Sequence, residues 1–146
     1  MEVTVRAATA ADLAGAERLL AATELPIGGV AEHWGDAYVV AERDGAIVGV
    51  AGVERYGDAG LLRSVAVDAA LRGTGLGGRL VEDRLSWAER EGIRSLYLLT
   101  TTAAAWFPRY GFVPVARADV PAAVLAAPEF VTICASSATV LGRTSA

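Results

Sequence analysis

Seven residues near the middle of this chain, Arg72-Gly73-Thr74-Gly75-Leu76-Gly77-Gly78, have the types and spacing to hold an anion. Glycines let a backbone approach a ligand closely. Where such a turn opens a helix, the free N–H groups of the first helical turn also stand at the positive end of the helix dipole. A phosphate is the natural guest. A Walker-type loop is excluded, because Gly77-Gly78-Arg79 lacks the closing Gly-Lys-Ser/Thr. The spacing Gly73-x-Gly75-x-x-Gly78 fits a dinucleotide fingerprint, but that reading wants an acidic residue about 20 positions on, where Thr100-Thr101-Thr102 stands instead. What remains is Arg-x-x-Gly-x-Gly, Arg72 to Gly77, following the strand-like run Leu61–Val67.

On these residues the sequence resembles the GNAT superfamily of N-acetyltransferases, whose signature Gln/Arg-x-x-Gly-x-Gly/Ala marks the turn that binds the pyrophosphate of acetyl-coenzyme A. Leu96-Tyr97-Leu98-Leu99-Thr100 resembles the next strand of that fold, and the stretch from Ala103 to Gly111-Phe112 resembles the short helix after it. The resemblance covers most of the chain. It implies a mixed α/β fold, with antiparallel N-terminal strands, a central parallel pair splayed around acetyl-CoA, and flanking helices. It also implies that Arg72, Gly73, Thr74, Gly75, Leu76, Gly77 and Gly78 cradle the pyrophosphate. Backbone groups of Val65, Ala66 and Val67 would pair with pantetheine and the thioester carbonyl. Phe107 stands where many relatives carry a tyrosine that protonates the leaving thiolate.

Two finer similarities bear on the acceptor. The runs Leu61–Val67, Leu98–Ala103 and Glu129–Ala138, with Cys134-Ala135-Ser136-Ser137, look like the arsenic-resistance-associated N-acetyltransferases. The Leu-Thr-Thr, Trp106-Phe107 and Gly111-Phe112 pattern is similar to amino-acid acetyltransferases such as N-acetylglutamate synthases. Both imply a small, amino-acid-like primary amine that attacks acetyl-CoA directly in a ternary complex. The missing tyrosine supports an alternative, a non-catalytic acyl-CoA-binding or sensor domain.

Three side chains are candidates for the remaining chemistry. Glu54, near a strand end, is placed to act as a general base through water, or is a solvated charge. His33, the single histidine, has a suitable unperturbed pKa of about 6.5, though a lone loop histidine also serves no chemistry. Arg63 interrupts an apolar strand on the face of Leu61, Val65 and Val67, and needs an anionic partner. That partner is either a substrate carboxylate or an internal one, Glu54 or Glu129.

The elements that must position these residues follow from pattern. Val3–Arg6 alternates as a first strand, and Thr9-Ala10-Ala11-Asp12 has the form of a capping box before Leu13, Ala16, Leu19 and Leu20. Gly28-Gly29 makes Leu25–Trp34 a loop with at most a short helix, and the resemblance implies that it overhangs the acceptor site. Ala37–Arg43 and Ala46–Tyr56 flank Asp44-Gly45, a tight hairpin signal, and a second hairpin through Gly57–Gly60 leads to the central strand. A helix over Leu76 to about Glu91 buries Leu76, Leu80, Val81, Leu85, Trp87 and Ala88 and is ended by Gly92. The next strand, apolar at four successive positions, reads as buried on both faces and parallel to the central one. Phe112–Arg117 reads as a return strand, Pro121–Ala127 as a short helix, and Ala138–Leu141 as a closing strand whose open edge suits a homodimer.

Composition narrows the classes. The 146 residues, 53% of them hydrophobic, suit a single N-acetyltransferase domain over 1–146 with its own core. A net charge of −4 with scattered arginines disfavours nucleic acid. The single cysteine disfavours a disulfide framework or a cysteine-rich metal site, so no metal is expected. No membrane partner is expected either, because no segment has the length of a span and the N-terminal residues lack the order of a signal peptide, which points to the cytoplasm.

Overall fold

The computed structural model describes residues 2–132 and 138–144. Seven strands form one sheet: β1 (Thr4–Ala7), β2 (Tyr38–Arg43), β3 (Ala46–Tyr56), β4 (Ala59–Val67), β5 (Ser95–Thr100), β6 (Val113–Pro114) and β7 (Thr139–Thr144). Their spatial order is β1-β2-β3-β4-β5-β7-β6, and β4 with β5 is the parallel pair. Helices α1 (Leu13–Ala22), α2 (Val30–His33), α3 (Leu76–Arg90), α4 (Ala122–Leu125) and α5 (Pro128–Thr132) cover the two faces. This is the expected mixed α/β architecture.

Local chemistry sets most of these boundaries. Asp44 and Gly45 both take positive φ, 54° and 80°, as the two-residue turn between β2 and β3 requires. At the start of α1, the Asp12 carboxylate accepts hydrogen bonds from the Thr9 N–H at 2.8 Å and the Thr9 hydroxyl at 2.9 Å. Arg6 pairs with the same carboxylate at 2.8 Å and holds its pKa well below the usual range. Gly92, at φ 78°, ends α3.

The core divides by face. Leu76, Leu80, Val81 and Ala88 of α3 pack on Val39, Ala51, Val53, Leu62, Leu96 and Leu98. On the other face, α1 covers Tyr38, Val40, Val50 and Ala66, while α4 and α5 cover Leu61 and Val140. Arg84 also lies on the buried side of α3, donating to the Asp36 carbonyl at 2.8 Å and standing 5.0 Å over the Trp87 ring.

Three expectations change. In β5 only Leu96 and Leu98 are fully buried; Tyr97 and Leu99 are half-buried, because short α4 and α5 shield their side less than α3 shields the other. The return strand shrinks to Val113–Pro114, where proline offers no N–H to extend a ladder. β7 is not an open edge throughout: β5 pairs along one side of it, and Val113 and Pro114 meet Gly142 and Leu141 on the other.

The sheet opens at its centre. β4 and β5 pair only through Ala59, Gly60 and Leu61, and then diverge. On its β3 side, β4 carries a bulge. The register passes from Gly52↔Arg63 to Val50↔Ala66, so Ala51 opposes both Ser64 and Val65, and Ser64 takes φ 60°. The extra residue reverses the alternation. Leu62, Val65 and Val67 face α3, whereas Leu61 and Ala66 face the other helices. Arg63 therefore shares a face with Leu61 but not with Val65 and Val67.

Candidate active site

Divergence of β4 from β5 creates a cleft of about 720 Å³. Residues 62–67 form one wall and 98–100 the other, with Trp106 and Phe107 beyond them. At one end lie Arg72 and Gly77. Gly73 and Gly75 take φ 84° and 86°, a region that costs an L-residue energy, and shape the turn there. The Arg79 N–H is the first to close onto the helix, 3.2 Å from the Gly75 carbonyl. The N–H groups of Leu76, Gly77 and Gly78 thus precede any intrahelical acceptor, at the positive end of a 15-residue helix.

Not every residue of the turn offers its side to the cleft. The Thr74 hydroxyl is spent on the Leu71 carbonyl at 2.6 Å, and the Leu76 side chain is buried in the core. A Cβ at Gly78 would overlap the Tyr110 hydroxyl, so this glycine makes room for an aromatic group. That group belongs to a stack in which Trp106 lies 4.9 Å from Phe107 and 5.0 Å from Tyr110. Phe107 lies edge-on to Phe112 at 5.9 Å, so it is held as part of the core as well as the cleft wall.

The other end is closed by charge. Arg63 and Glu54 pair at 2.8 Å with side chains 0% exposed, and the Arg63 Nε lies 3.0 Å from a carboxylate oxygen of Glu129. Arg63 also donates to Ser64 Oγ at 3.0 Å, to the Pro26 carbonyl at 2.9 Å and to the Gly28 carbonyl. All three guanidinium nitrogens are engaged. Arg63 is therefore not a free anchor for a substrate carboxylate: the internal partners Glu54 and Glu129 have satisfied it, and it ties the segment after α1 and the helix α5 to the sheet.

Glu54 and His33 both lie off the cleft. Glu54 takes a hydrogen bond from the Tyr56 hydroxyl at 2.7 Å besides its Arg63 pair, lies off the cleft, and has no exposed surface from which to activate water. His33, in α2, is also off the cleft and packs its ring 6.1 Å from that of Tyr56. Of the predicted loop only Leu25 and Pro26 border the cleft, together with Thr23 and Glu24 just before it. Glu129, named in the sequence only as a partner for Arg63, does line the cleft. Burial raises its pKa to about 7, with Arg63 opposing the shift and Glu54 adding to it. The sequence carried no mark of this, since the shift depends on packing between distant segments. Cys134 and its neighbours to Ser137 lie outside the described residues.

Among the described residues, no group of three or more His, Cys, Asp or Glu is arranged to hold a metal. No helix there is long and apolar enough to cross a membrane.

The sheet is splayed at its centre beside a glycine-rich helix start, and residues 34–114 match the acetyltransferase (GNAT) domain: the chain belongs to that family. The chain is 36% identical over 90 residues to an amino-acid acetyltransferase of Pseudomonas fluorescens, an alignment covering 60% of this chain and 21% of the relative. An amino-acid acetyltransferase of Aeromonas salmonicida is 34% identical over 88 residues, covering 59% and 20%. The chain thus spans about a fifth of the length of these relatives. Among solved structures, N-acetylglutamate synthase from Neisseria gonorrhoeae, complexed with coenzyme A and N-acetyl-glutamate, superposes with a TM-score of 0.83 at 22% identity, over 99% of this chain and 35% of that one. A Mycobacterium tuberculosis protein in complex with CoA gives 0.80 at 23% identity, over 98% and 99%.

Proposed function

We propose that this domain transfers the acetyl group of acetyl-CoA to the primary amine of a small amino-acid-like acceptor, by direct attack in a ternary complex. The observation that carries this reading is the continuity of the cleft. It runs from the anion-binding turn, along the β4 edge released by the splay, to the buried charges at Arg63 and Glu129. Donor and acceptor therefore fit end to end. Arg72, Gly73, Gly75 and Gly77 would hold the pyrophosphate, with the free N–H groups of α3 directed at it. Backbone groups of Val65, Ala66 and Val67 would fix the pantetheine arm and the thioester. The acetyl end then lies toward the charged closure.

Direct transfer asks for a neutral amine, a positioned thioester and a leaving thiolate. Coenzyme A thiol, taken as having a pKa near that of cysteine, about 8.5, leaves without an obligatory acid. Phe107 in place of a tyrosine is thus compatible with turnover. The same feature also favours the second reading, an acyl-CoA sensor. The amino-acid class of acceptor is supported by the named relatives, and the similarity to arsenic-resistance-associated enzymes puts phosphinic and arsonic amino-acid analogues among the acceptors to try.

The test is release of free coenzyme A thiol from acetyl-CoA across amino acids, those analogues, polyamines and aminoglycosides, with acetyl-CoA binding measured by calorimetry on the same sample. Release with amino acids or their analogues is the expected result. Binding without release from any amine would favour the sensor, and absence of binding would overturn the reading of the turn.

A further inference from the structure

Around Arg63, one cation faces two carboxylates. Glu54 is fully enclosed and spoken for by Arg63 and Tyr56. Glu129 differs on each point. Its side chain is 6% exposed, it borders the cleft, and among the described residues its only recorded ion pair is with Arg63. Behind it the Tyr38 hydroxyl is buried against Ser64, a residue that also borders the cleft. Among the described ion pairs at this end, one guanidinium thus serves two carboxylates. Such an end suits a cationic, hydrogen-bonding guest, which an amine acceptor is before it loses its proton.

Resting on the acetyltransferase reading, we infer that Glu129 accepts the proton that the acceptor's ammonium group must lose before attack. The ammonium passes one proton to the Glu129 carboxylate and becomes a neutral amine. Its nitrogen lone pair then forms the bond to the thioester carbon, and the C–S bond breaks as the tetrahedral adduct collapses. The nitrogen's second proton ends on the coenzyme sulfur or in water, while Glu129 returns its proton to solvent. Atoms and charge balance without any further reactant.

The surroundings poise the carboxylate for this exchange. Arg63 on β4 faces it directly, and Glu54 on β3 and Tyr38 on β2 lie behind Arg63. Glu24 borders the same cleft from the segment after α1, and Arg117 stands 5.4 Å over the neighbouring Phe130 ring. With burial raising its pKa to about 7, Glu129 is near the midpoint of its titration at neutral pH. A general base is most useful there.

The decisive experiment compares wild type, Glu129→Gln and Glu129→Asp with acetyl-CoA and three nucleophiles: L-glutamate, L-glutamine and hydroxylamine. The first two carry an ammonium group, whereas hydroxylamine is already neutral near pH 7. For the amino acids, kcat/KM near neutral pH should fall about 100-fold in Glu129→Gln, and the acid limb of its pH profile should move up to the amine's own ionisation. Glu129→Asp should keep the wild-type limb at a reduced rate. Coenzyme A affinity and the hydroxylamine rate should stay within about threefold of wild type in both variants. A Glu129→Gln enzyme that binds coenzyme A and keeps its amino-acid rate and acid limb would overturn the role of Glu129 alone. Wild-type protein that binds no coenzyme A, or that releases its thiol with none of these nucleophiles nor any amine of the wider panel, would overturn the acetyltransferase reading and this role with it.

Discussion

Glu129→Gln should change how stability depends on pH even in the absence of any ligand. In the folded protein the Glu129 carboxyl has a pKa of about 7, against 4.5 for the unperturbed group. Between those values the folded chain binds more protons than the unfolded chain, so wild-type stability falls as pH rises through that window. Each pKa unit is worth about 1.4 kcal/mol, which gives a loss of about 3 kcal/mol completed near pH 8. Glutamine has no proton to lose and escapes this term. Other titrating groups, Asp12 among them, are common to both proteins and cancel in the difference. Urea unfolding followed through the three tryptophans, at half-unit steps from pH 4.5 to 8.5, should show the variant gaining about 3 kcal/mol on wild type across the range. Parallel stability curves would refute the claim that Glu129 is buried against an uncompensated charge.

Other consequences can be checked on the same material. Arg63→Met leaves Glu54 buried without its cation and should cost about 3–5 kcal/mol, much of it recovered on adding Glu54→Gln; a single-variant loss below about 1 kcal/mol in urea unfolding would remove the clasp from the account. Gly78→Ala should destabilise by about 1–3 kcal/mol because its methyl overlaps the Tyr110 hydroxyl. In a Tyr110→Phe background the nearest remaining atom is 3.6 Å away, so the same change should become neutral or stabilising by up to about 1 kcal/mol; equal costs in both backgrounds would contradict the contact. Gly77→Trp projects an indole into the cleft beside Trp106 and should remove calorimetric coenzyme A binding from a protein that still unfolds cooperatively; undiminished affinity would place the coenzyme elsewhere. The Asp12 carboxyl is held low by Arg6, so its contribution is present above the unfolded carboxyl pKa and lost as pH falls through the depressed folded one. The gap in stability between wild type and Asp12→Asn should accordingly narrow on acidification; a gap independent of pH would deny the ion pair its role.

The glycine-rich end of the cleft was legible because it is written in contiguous sequence. Leu61–Gly78 contains the strand, the turn and the helix start, and each announces itself through short-range chemistry. Asp44-Gly45 and Gly92 were readable for the same reason. Ser64 was not: nothing in Arg63-Ser64-Val65 marks a bulge, yet that one extra residue moves Val65 and Val67 off the face of Arg63. The burial of Glu54 was hidden for another reason. A charge near a strand end looks solvated until distant segments close over it, and those segments, Pro26–Gly28 and α5, come from opposite ends of the chain.

That arrangement has a consequence for how the domain is assembled and altered. Ribosomal synthesis releases β4, the glycine-rich turn and α3 together, so that end of the cleft can form from neighbours in sequence. The end at Arg63 has to wait for α5, because a single guanidinium on β4 holds the loop after α1, the strand β3 and α5 at once. Transplanting a different acceptor loop into this scaffold would therefore require exchanging the matching C-terminal segment with it, as two halves of one latch.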